Sequence, residues 1–400
     1  MHNSEQEYLE SVVQQIDDLV GPETPPDKPD AIYALEQLFP IAHITTELFT
    51  FRSLFPAHQY NLIVLVSGSK LRDRRTNQAI FKSYTSGLRV ILVDDLFAST
   101  LSLLCIGLVE NGARKYLFVT AKIMTRLAMT EVMAKDAAIN LSLTASEQAE
   151  GLRLKKRLGV DIQAPIVALQ IPQQDAAATT LKAYLPLLDH LLASGYVVFP
   201  LGRQYPQARQ HPNLIDARCQ RAYDPFMSFF FITASDLFIG TFSGQQLLAM
   251  AYQRPALIVN SPICSFSIHA QRDLLMPKKY HSSRLNRALC YEEIISTGLP
   301  ECPAQKFAEF GVTLLENNPA ELIGGFEELS ARIAGTYQIN TALAQRIKEI
   351  NQIAHLIREE HLLSTPTSVA ADLIDFYAPT LSQSSLSHEY IKMNPNFVRY

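Results

Sequence analysis

The stretch Thr241-Phe-Ser-Gly244 has the residue types and setting of an anion site. It follows the short apolar run Asp236–Ile239 and Gly240. It precedes Gln245–Tyr252, where Leu247, Leu248 and Ala251 recur at helical spacing. Small hydroxyl residues between a strand and a helix set side-chain donors beside the free backbone N–H groups of the first helical turn. The positive end of the helix dipole then favours an anion. At the carboxyl edge of a parallel sheet, where ligands gather, such a turn suits a diphosphate. An ordinary strand-to-helix turn with Ser243 as N-cap has the same spacing and is the commoner arrangement. The stretch lacks the Lys of a Walker loop and the triple Gly of a dinucleotide fingerprint.

Other residues could complete such a site. Arg203 stands just past the apolar run Tyr196–Leu201 and is the first choice for a phosphate clamp, with a surface ion pair as the equal alternative. Lys278 and Lys279 follow Met276-Pro277 and could neutralise a phosphate, although exposed lysine pairs are common. Glu292, near a helix start, could accept from ribose hydroxyls or simply serve the first turn. His43 is the candidate base, because an imidazole at the mouth of a helix titrates in the range needed for proton transfer. Its neighbours Ile41 and Ile44 also suit a core histidine. Glu47, one turn on, could orient His43 or act itself. Asp94 and Asp95 are adjacent, so on a strand their side chains diverge and make no metal pair.

These residues need a frame. Four hundred residues exceed what one core usually holds, so two domains are expected. A hydrophobic content of 48% with 18% charged residues implies a well-cored chain. A net charge of −4 argues against an electrostatic nucleic-acid binder. Cys105, Cys219, Cys264, Cys290 and Cys302 are odd in number and scattered, which points to reduced thiols in a cytoplasmic setting rather than disulfides or a zinc site. The polar opening Met1–Glu10 does not read as a secretory signal, and no apolar run reaches membrane-spanning length.

Along the chain, Tyr8–Val20 has one apolar helical face and should pack on the body or on a partner, and Gly21–Pro29 is a stiff linker. Tyr60–Val66, Arg89–Val93 and Lys115–Val119 read as buried strands, with Phe97–Glu110 helical between the last two. Ala145–Leu158 is a helix whose Lys155, Lys156 and Arg157 read as a solvated end. A second series follows: strands at Pro165–Ile171, Tyr196–Leu201, Asn213–Asp216, Asp236–Ile239 and Ala256–Val259, with helices at Leu181–Leu192, Pro225–Ala234 and Gln245–Tyr252. Continuous apolar strands alternating with helices predict parallel sheets covered on both faces. The expected architecture is α/β, two Rossmann-like domains facing across a cleft, with extra N- and C-terminal helices. The boundaries are 1–29 for the N-terminal helix and linker, 30–150 and 160–335 for the two domains, and 336–400 for the C-terminal helices and tail. Leu343–Glu360 and Leu362–Tyr377 read as helices there, one of which could return to the first domain, and Ser382–Ser387 as loose.

The run Phe238-Ile-Gly-Thr-Phe-Ser-Gly244, then Arg254-Pro, Asn260-Ser-Pro and Asp273-Leu-Leu-Met-Pro-Lys-Lys279, resembles a family of bacterial glycosyltransferases. Gly195–Arg203, Ile41–Glu47 and Cys290–Ile294 are similar to further segments of it, and the resemblance covers residues 38–335. It implies a GT-B-like fold with a nucleotide sugar held mostly by the second domain. It implies a metal-independent transfer to a glycan or other hydroxyl acceptor, with no cofactor beyond the donor. It also adds Asn260 to Arg203, Thr241, Ser243, Gly244, Lys278, Lys279 and Glu292 as donor-binding residues. Three positions depart from the family pattern: Ala42 replaces Gly, Phe242 replaces Ser, and Ala168–Asp175 lacks the Arg expected near Gln170. A nucleotide-sugar epimerase or hydrolase on the same fold, or an inactive nucleotide-sugar or protein-binding descendant, fits the same frame. No nucleic-acid partner is expected, and peripheral membrane contact is compatible with the composition. The sequence leaves the oligomeric state open.

Overall fold

The computed structural model of the chain describes residues 2–20, 28–35, 37–39, 41–103, 108–111, 114–119, 139–171, 177–201, 211–215, 225–263, 270, 272–299, 307–349 and 385–398. Two compact units emerge, Met1–Val132 with Ala137–Ile139 and Met133–Asp136 with Asn140–Tyr400.

The first unit is built on a five-stranded sheet. Its strands are β1 (Asp30–Leu35), β2 (Asn61–Ser67), β3 (Arg89–Val93), β4 (Leu108–Asn111) and β5 (Arg114–Val119), in the order β3-β2-β1-β5-β4. β1 pairs in parallel with β2 and β5, and β3 extends the parallel set. The order reverses at β1, so the crevice beyond β1 and β5 is this sheet's switch point. Two sequence expectations change here. Within the span read as one helix, Phe97–Glu110, Asp95–Leu103 forms helix α5, whereas Leu108–Asn111 is the antiparallel edge strand β4. The central strand β1 falls in a stretch where no strand was expected.

Helix α1 (His2–Val20) packs on this sheet, as its apolar face predicts. Val12, Ile16 and Val20 join Ile32, Ile63, Leu65, Leu101, Tyr116 and Phe118 in one buried cluster. Burial of each such aliphatic side chain contributes about 1.5–3 kcal/mol. Polar contacts fix the register: Tyr116 Oη donates to Asp17, and Arg89 donates to the carbonyls of Val20 (2.7 Å) and Leu19 (3.1 Å) at the helix C-terminus.

The second unit holds a six-stranded parallel sheet. Its strands are β6 (Ile166–Gln170), β7 (Val197–Leu201), β8 (Leu237–Gly240), β9 (Ala256–Ser261), β10 (Leu274–Pro277) and β14 (Ser385–Leu386), in the order β14-β10-β9-β8-β6-β7. The expected strand at 213–216 appears as a single parallel bridge from Leu214 to Val198, outside β7. The reversal falls between β6 and β8. Helix Pro225–Thr233 buries Met227 through Thr233, so its Phe run is core. Carboxylates stitch the amino edge: Asp236 accepts from Ile166 N at 2.7 Å, and fully buried Asp273 accepts from Ala256 N and Ala270 N, each at 2.9 Å. Lys155, expected to be solvated, is buried and donates to the Ile162 carbonyl at 3.2 Å. A three-stranded antiparallel sheet, unforeseen in the sequence, is formed by β11 (Lys279–Ser282), β12 (Arg287–Ala288) and β13 (Val312–Leu315).

The tail also departs from expectation. Residues 341–349 are helical, and the rest of the two expected helices, Leu343–Glu360 and Leu362–Tyr377, lies outside the described residues. Ser385–Leu386, read as loose, is strand β14 on β10, so this segment joins the second unit rather than the first. Two buried carboxylates of helix Pro319–Ile333 hold it. Glu328 accepts from Ser387 Oγ (2.7 Å), Glu389 N (3.0 Å) and Arg332 (2.6 Å), and Glu321 accepts from Lys279 Nζ (2.8 Å) and Asn394 Nδ2 (2.7 Å).

His388 is buried in this joint, its Nδ1 without a hydrogen bond, against Tyr337 and within the fields of Glu328, Arg332, Lys392 and Glu389. Burial lowers its pKa below the ordinary value of 6.5, with Glu328 opposing that shift. The docked segment therefore holds a neutral imidazole and loses stability as pH falls through the unfolded value of about 6.5. Protection factors for hydrogen exchange across residues 385–398 should fall between pH 7.5 and 5.5, so that exchange there slows less than the intrinsic rate does. His388→Gln should flatten that pH dependence.

Candidate functional site

The strand order of the second sheet reverses between β6 and β8, and the Thr241–Gly244 turn follows the carboxyl end of β8 at this switch point. Gly240 is required by a close approach: a Cβ at this position would stand 2.6 Å from both Cβ and Oε1 of Gln170 and 2.9 Å from Cζ of Phe238. The Gln170 side chain fills that space and organises the turn. Its Oε1 accepts from Ser243 Oγ at 3.1 Å and from Thr241 Oγ1 at 3.5 Å. Ser243 is in the extended conformation (φ −166°, ψ 167°) and accepts from Gln246 N at 3.3 Å, which makes it the N-cap of helix Gly244–Ala251. Phe242 N donates to Ser261 Oγ at 2.9 Å, tying the turn to the end of β9.

This wiring leaves a set of donors unmatched. The backbone N–H groups of Ser243, Gly244 and Gln245 have no acceptor among the described residues, as the first turn of a helix requires. Thr241, Phe242, Ser243 and Gln245 are all partly exposed. The turn thus combines open N–H groups, a helix dipole and two hydroxyls held from below, an arrangement suited to a phosphate oxygen.

The remaining donor-binding candidates have other partners. Asn260 is 2% exposed, at φ +52°, in a reciprocal pair with Asn317. Asn260 N donates to Asn317 Oδ1 (2.8 Å), Asn317 N to Asn260 Oδ1 (2.5 Å), and Asn260 Nδ2 to Tyr184 Oη (3.1 Å). Its polar atoms are thereby matched inside the core rather than presented to a ligand. Lys279 is bound by both oxygens of buried Glu321, at 2.8 and 3.0 Å, away from any phosphate role. Lys278 stands at the carboxyl end of β10, only 9% exposed, with Glu316 Oε1 at 3.9 Å. Burial lowers its pKa and Glu316 partly restores it. Glu292 has no hydrogen-bond partner among the described residues, because the capping box of its helix is closed by Glu293. Arg287 grips Glu293 and holds its carboxyl down at about 2. Arg203 lies outside the described residues. Gln170 and Ser261 were not anticipated as organisers of the turn. The available signal was a polar residue closing each apolar strand.

In the first unit, helix α2 (Ile41–Leu54) opens after β1, at that sheet's switch point. His43 is 41% exposed, unlike a core histidine, and its Nδ1 lies 3.4 Å from Glu47 Oε1. Glu47 Oε2 accepts from Tyr33 Oη on β1 at 2.5 Å. The carboxylate is thus fixed from the sheet and turns the imidazole so that Nε2 is left for another group. Asp94 and Asp95 lie past β3 at the start of α5 rather than on a strand, and they have different partners: Asp94 accepts from Phe97 N (2.8 Å), while Asp95 accepts from Ser67 and Ser69.

No family model matches the chain, and no curated protein matches it. Solved structures similar to it include a glycosyl transferase family 9 protein from Veillonella parvula DSM 2008. That likeness has 10% identity and a TM-score of 0.37 over 63% of this chain and 86% of that one. The dodecameric iron-containing heptosyltransferase TibC in complex with ADP-D-β-D-heptose is similar at 16% identity and a TM-score of 0.37, over 77% and 79% of the two chains. TibC from enterotoxigenic E. coli H10407, described as an iron-containing dodecameric glycosyltransferase, is similar at 17% identity and a TM-score of 0.28, over 58% of each.

Because Gly240 and Gln170 are in contact, Gly240→Ala should destabilise the second unit by about 1–3 kcal/mol through overpacking. Ser243→Ala should cost about 1 kcal/mol through loss of the cap. Urea unfolding followed by circular dichroism checks both, and a Gly240→Ala midpoint equal to the native one would remove the close approach from the argument.

Proposed function

We propose that the chain is a metal-independent glycosyltransferase that takes its sugar from a nucleotide-sugar donor and transfers it to an acceptor hydroxyl. The observation that carries this reading is the set of open N–H groups at Ser243, Gly244 and Gln245, with the Thr241 and Ser243 hydroxyls fixed by Gln170, at the switch point of a parallel sheet. The donor diphosphate binds there. As the acceptor oxygen bonds to the anomeric carbon, the bond from that carbon to the diphosphate oxygen breaks. The bonding pair leaves with the diphosphate, whose growing charge the helix end stabilises. His43 Nε2 takes the acceptor proton, and Glu47 at Nδ1 stabilises the imidazolium. Lys278 and Arg203 are the cations assigned to the leaving group, and Glu292 is assigned to the ribose. The reading takes the two units as the two lobes of a GT-B-like arrangement.

A second reading, a nucleotide-sugar-binding protein without turnover, is favoured by the neutral Gln170 in place of a cation and by Lys279 being committed to Glu321. Titration with UDP-, GDP- and ADP-sugars, read by thermal shift, with donor hydrolysis followed in the same samples, separates the two. A donor-dependent shift with hydrolysis is expected. A shift without turnover, with or without added acceptors, would favour the binding protein, and no shift with any donor would remove both readings. His43→Ala should lower turnover by roughly 10²-fold or more while leaving donor affinity unchanged. Arg203→Ala should weaken donor binding without altering the unfolding temperature of the free protein.

A further inference from the structure

We propose that the corner of the first unit where β2 and β3 end docks on an anionic lipid surface. β3 is the outer strand of its sheet, and Leu92, aligned with Val66 near its carboxyl end, is 54% exposed. Leu96, in the first turn of α5, is 78% exposed, the highest value among the large apolar side chains described as exposed. The neighbouring turn after β2 carries Lys70, Arg72, Arg74 and Arg75 within six residues, against the single acid Asp73, in a chain whose net charge is −4.

The two turns are held together. Asp95 accepts from Ser67 and from Ser69 (2.7 Å), so the residue beside Leu96 is fixed to the base of the cationic turn. Those hydrogen bonds hold the Asp95 carboxyl below its ordinary pKa, and Lys70 and Arg72 lie within its field. Asp94 is engaged in capping α5, and Asp73 holds Arg75, whose guanidinium also stacks on Phe39 at 3.9 Å. Arg72 and Arg74 are exposed, and neither side chain donates to a described residue.

Exposed leucines beside unmatched guanidinium groups fit a bilayer interface. The leucines enter the acyl boundary, and the arginines meet headgroup phosphates. A second copy joined tip to tip here would bring like charges together, which favours lipid over self-association. No described helix is long and apolar enough to cross a membrane, so the contact is peripheral.

Flotation of the full chain with phosphatidylcholine vesicles, with and without phosphatidylglycerol, tests the assignment. The native chain should float with the anionic vesicles alone and be released as salt is raised. Arg72→Ala with Arg74→Ala should weaken that binding roughly tenfold or more, and Leu96→Asp should do so independently. The three side chains are exposed, so unfolding temperatures should match the native one. Native protein that stays below the anionic vesicles, that floats equally with both kinds, or whose binding survives these substitutions would overturn the proposal. So would a native dimer that Leu96→Asp splits while neither form binds vesicles.

Discussion

The contact between Gly240 and Gln170 is the constraint on which the proposed site rests. Where the order of parallel strands reverses, the connections leave toward opposite faces and a crevice is left beyond the carboxyl ends. Here a side chain from β6 fills it, and only a residue without Cβ can end β8 against it. The amide that fills the gap is also the acceptor for both hydroxyls of the following turn. One van der Waals contact thus determines where Thr241 and Ser243 stand, and through the Ser243 cap it sets where helix Gly244–Ala251 begins.

The rest of that sheet is closed by matched polar groups, which makes the open turn stand out. At the amino edge, Asp236 and Asp273 consume the backbone donors that start β6 and β9. At the carboxyl edge, Asn260 near the end of β9 and Asn317 bind each other, and Asn317 Nδ2 reaches the Pro277 carbonyl of β10 at 3.1 Å. Buried polar groups left unmatched cost about 1–3 kcal/mol each, so these closures are needed simply to keep the edges folded. Ser243 and Gln245 are partly exposed, which spares their N–H groups much of that cost, while Gly244 between them is buried.

Much of this frame was legible in the sequence, because buried parallel strands are continuous apolar runs. Asn61–Ser67, Ile166–Gln170, Leu237–Gly240 and Ala256–Ser261 differ from their expected spans by a residue or two. β1 was not legible, since the low strand propensity of Ala31 and Ala34 weakens the signal of a short run just after a proline-rich linker. β4 was hidden by a run of apolar residues that satisfies helical and extended periods alike, and β11 by its polar Lys-Tyr-His-Ser composition. In the site, the Ser243 cap could be read because its partner is three residues away. The commitments of Lys279 to Glu321 and of Asn260 to Asn317 could not, because those partners lie 42 and 57 residues on. Local spacing reveals caps and helix faces, whereas competition for a charged group is decided by tertiary neighbours.

The His43–Glu47–Tyr33 chain joins the central strand of the first sheet to the helix that opens at its switch point. Glu47 is only 17% exposed, and withdrawing a carboxylate from water is unfavourable unless hydrogen bonds replace its hydration. Tyr33 supplies one such bond from the most central strand of the sheet, and the other carboxylate oxygen faces the His43 imidazole, which is 41% exposed. What the carboxylate provides and an aliphatic side chain does not is a fixed imidazole orientation and a counter-charge for an added proton. In the proposed transfer, this half-buried acid orients the histidine at the mouth of the switch point and faces the proton that it would take up.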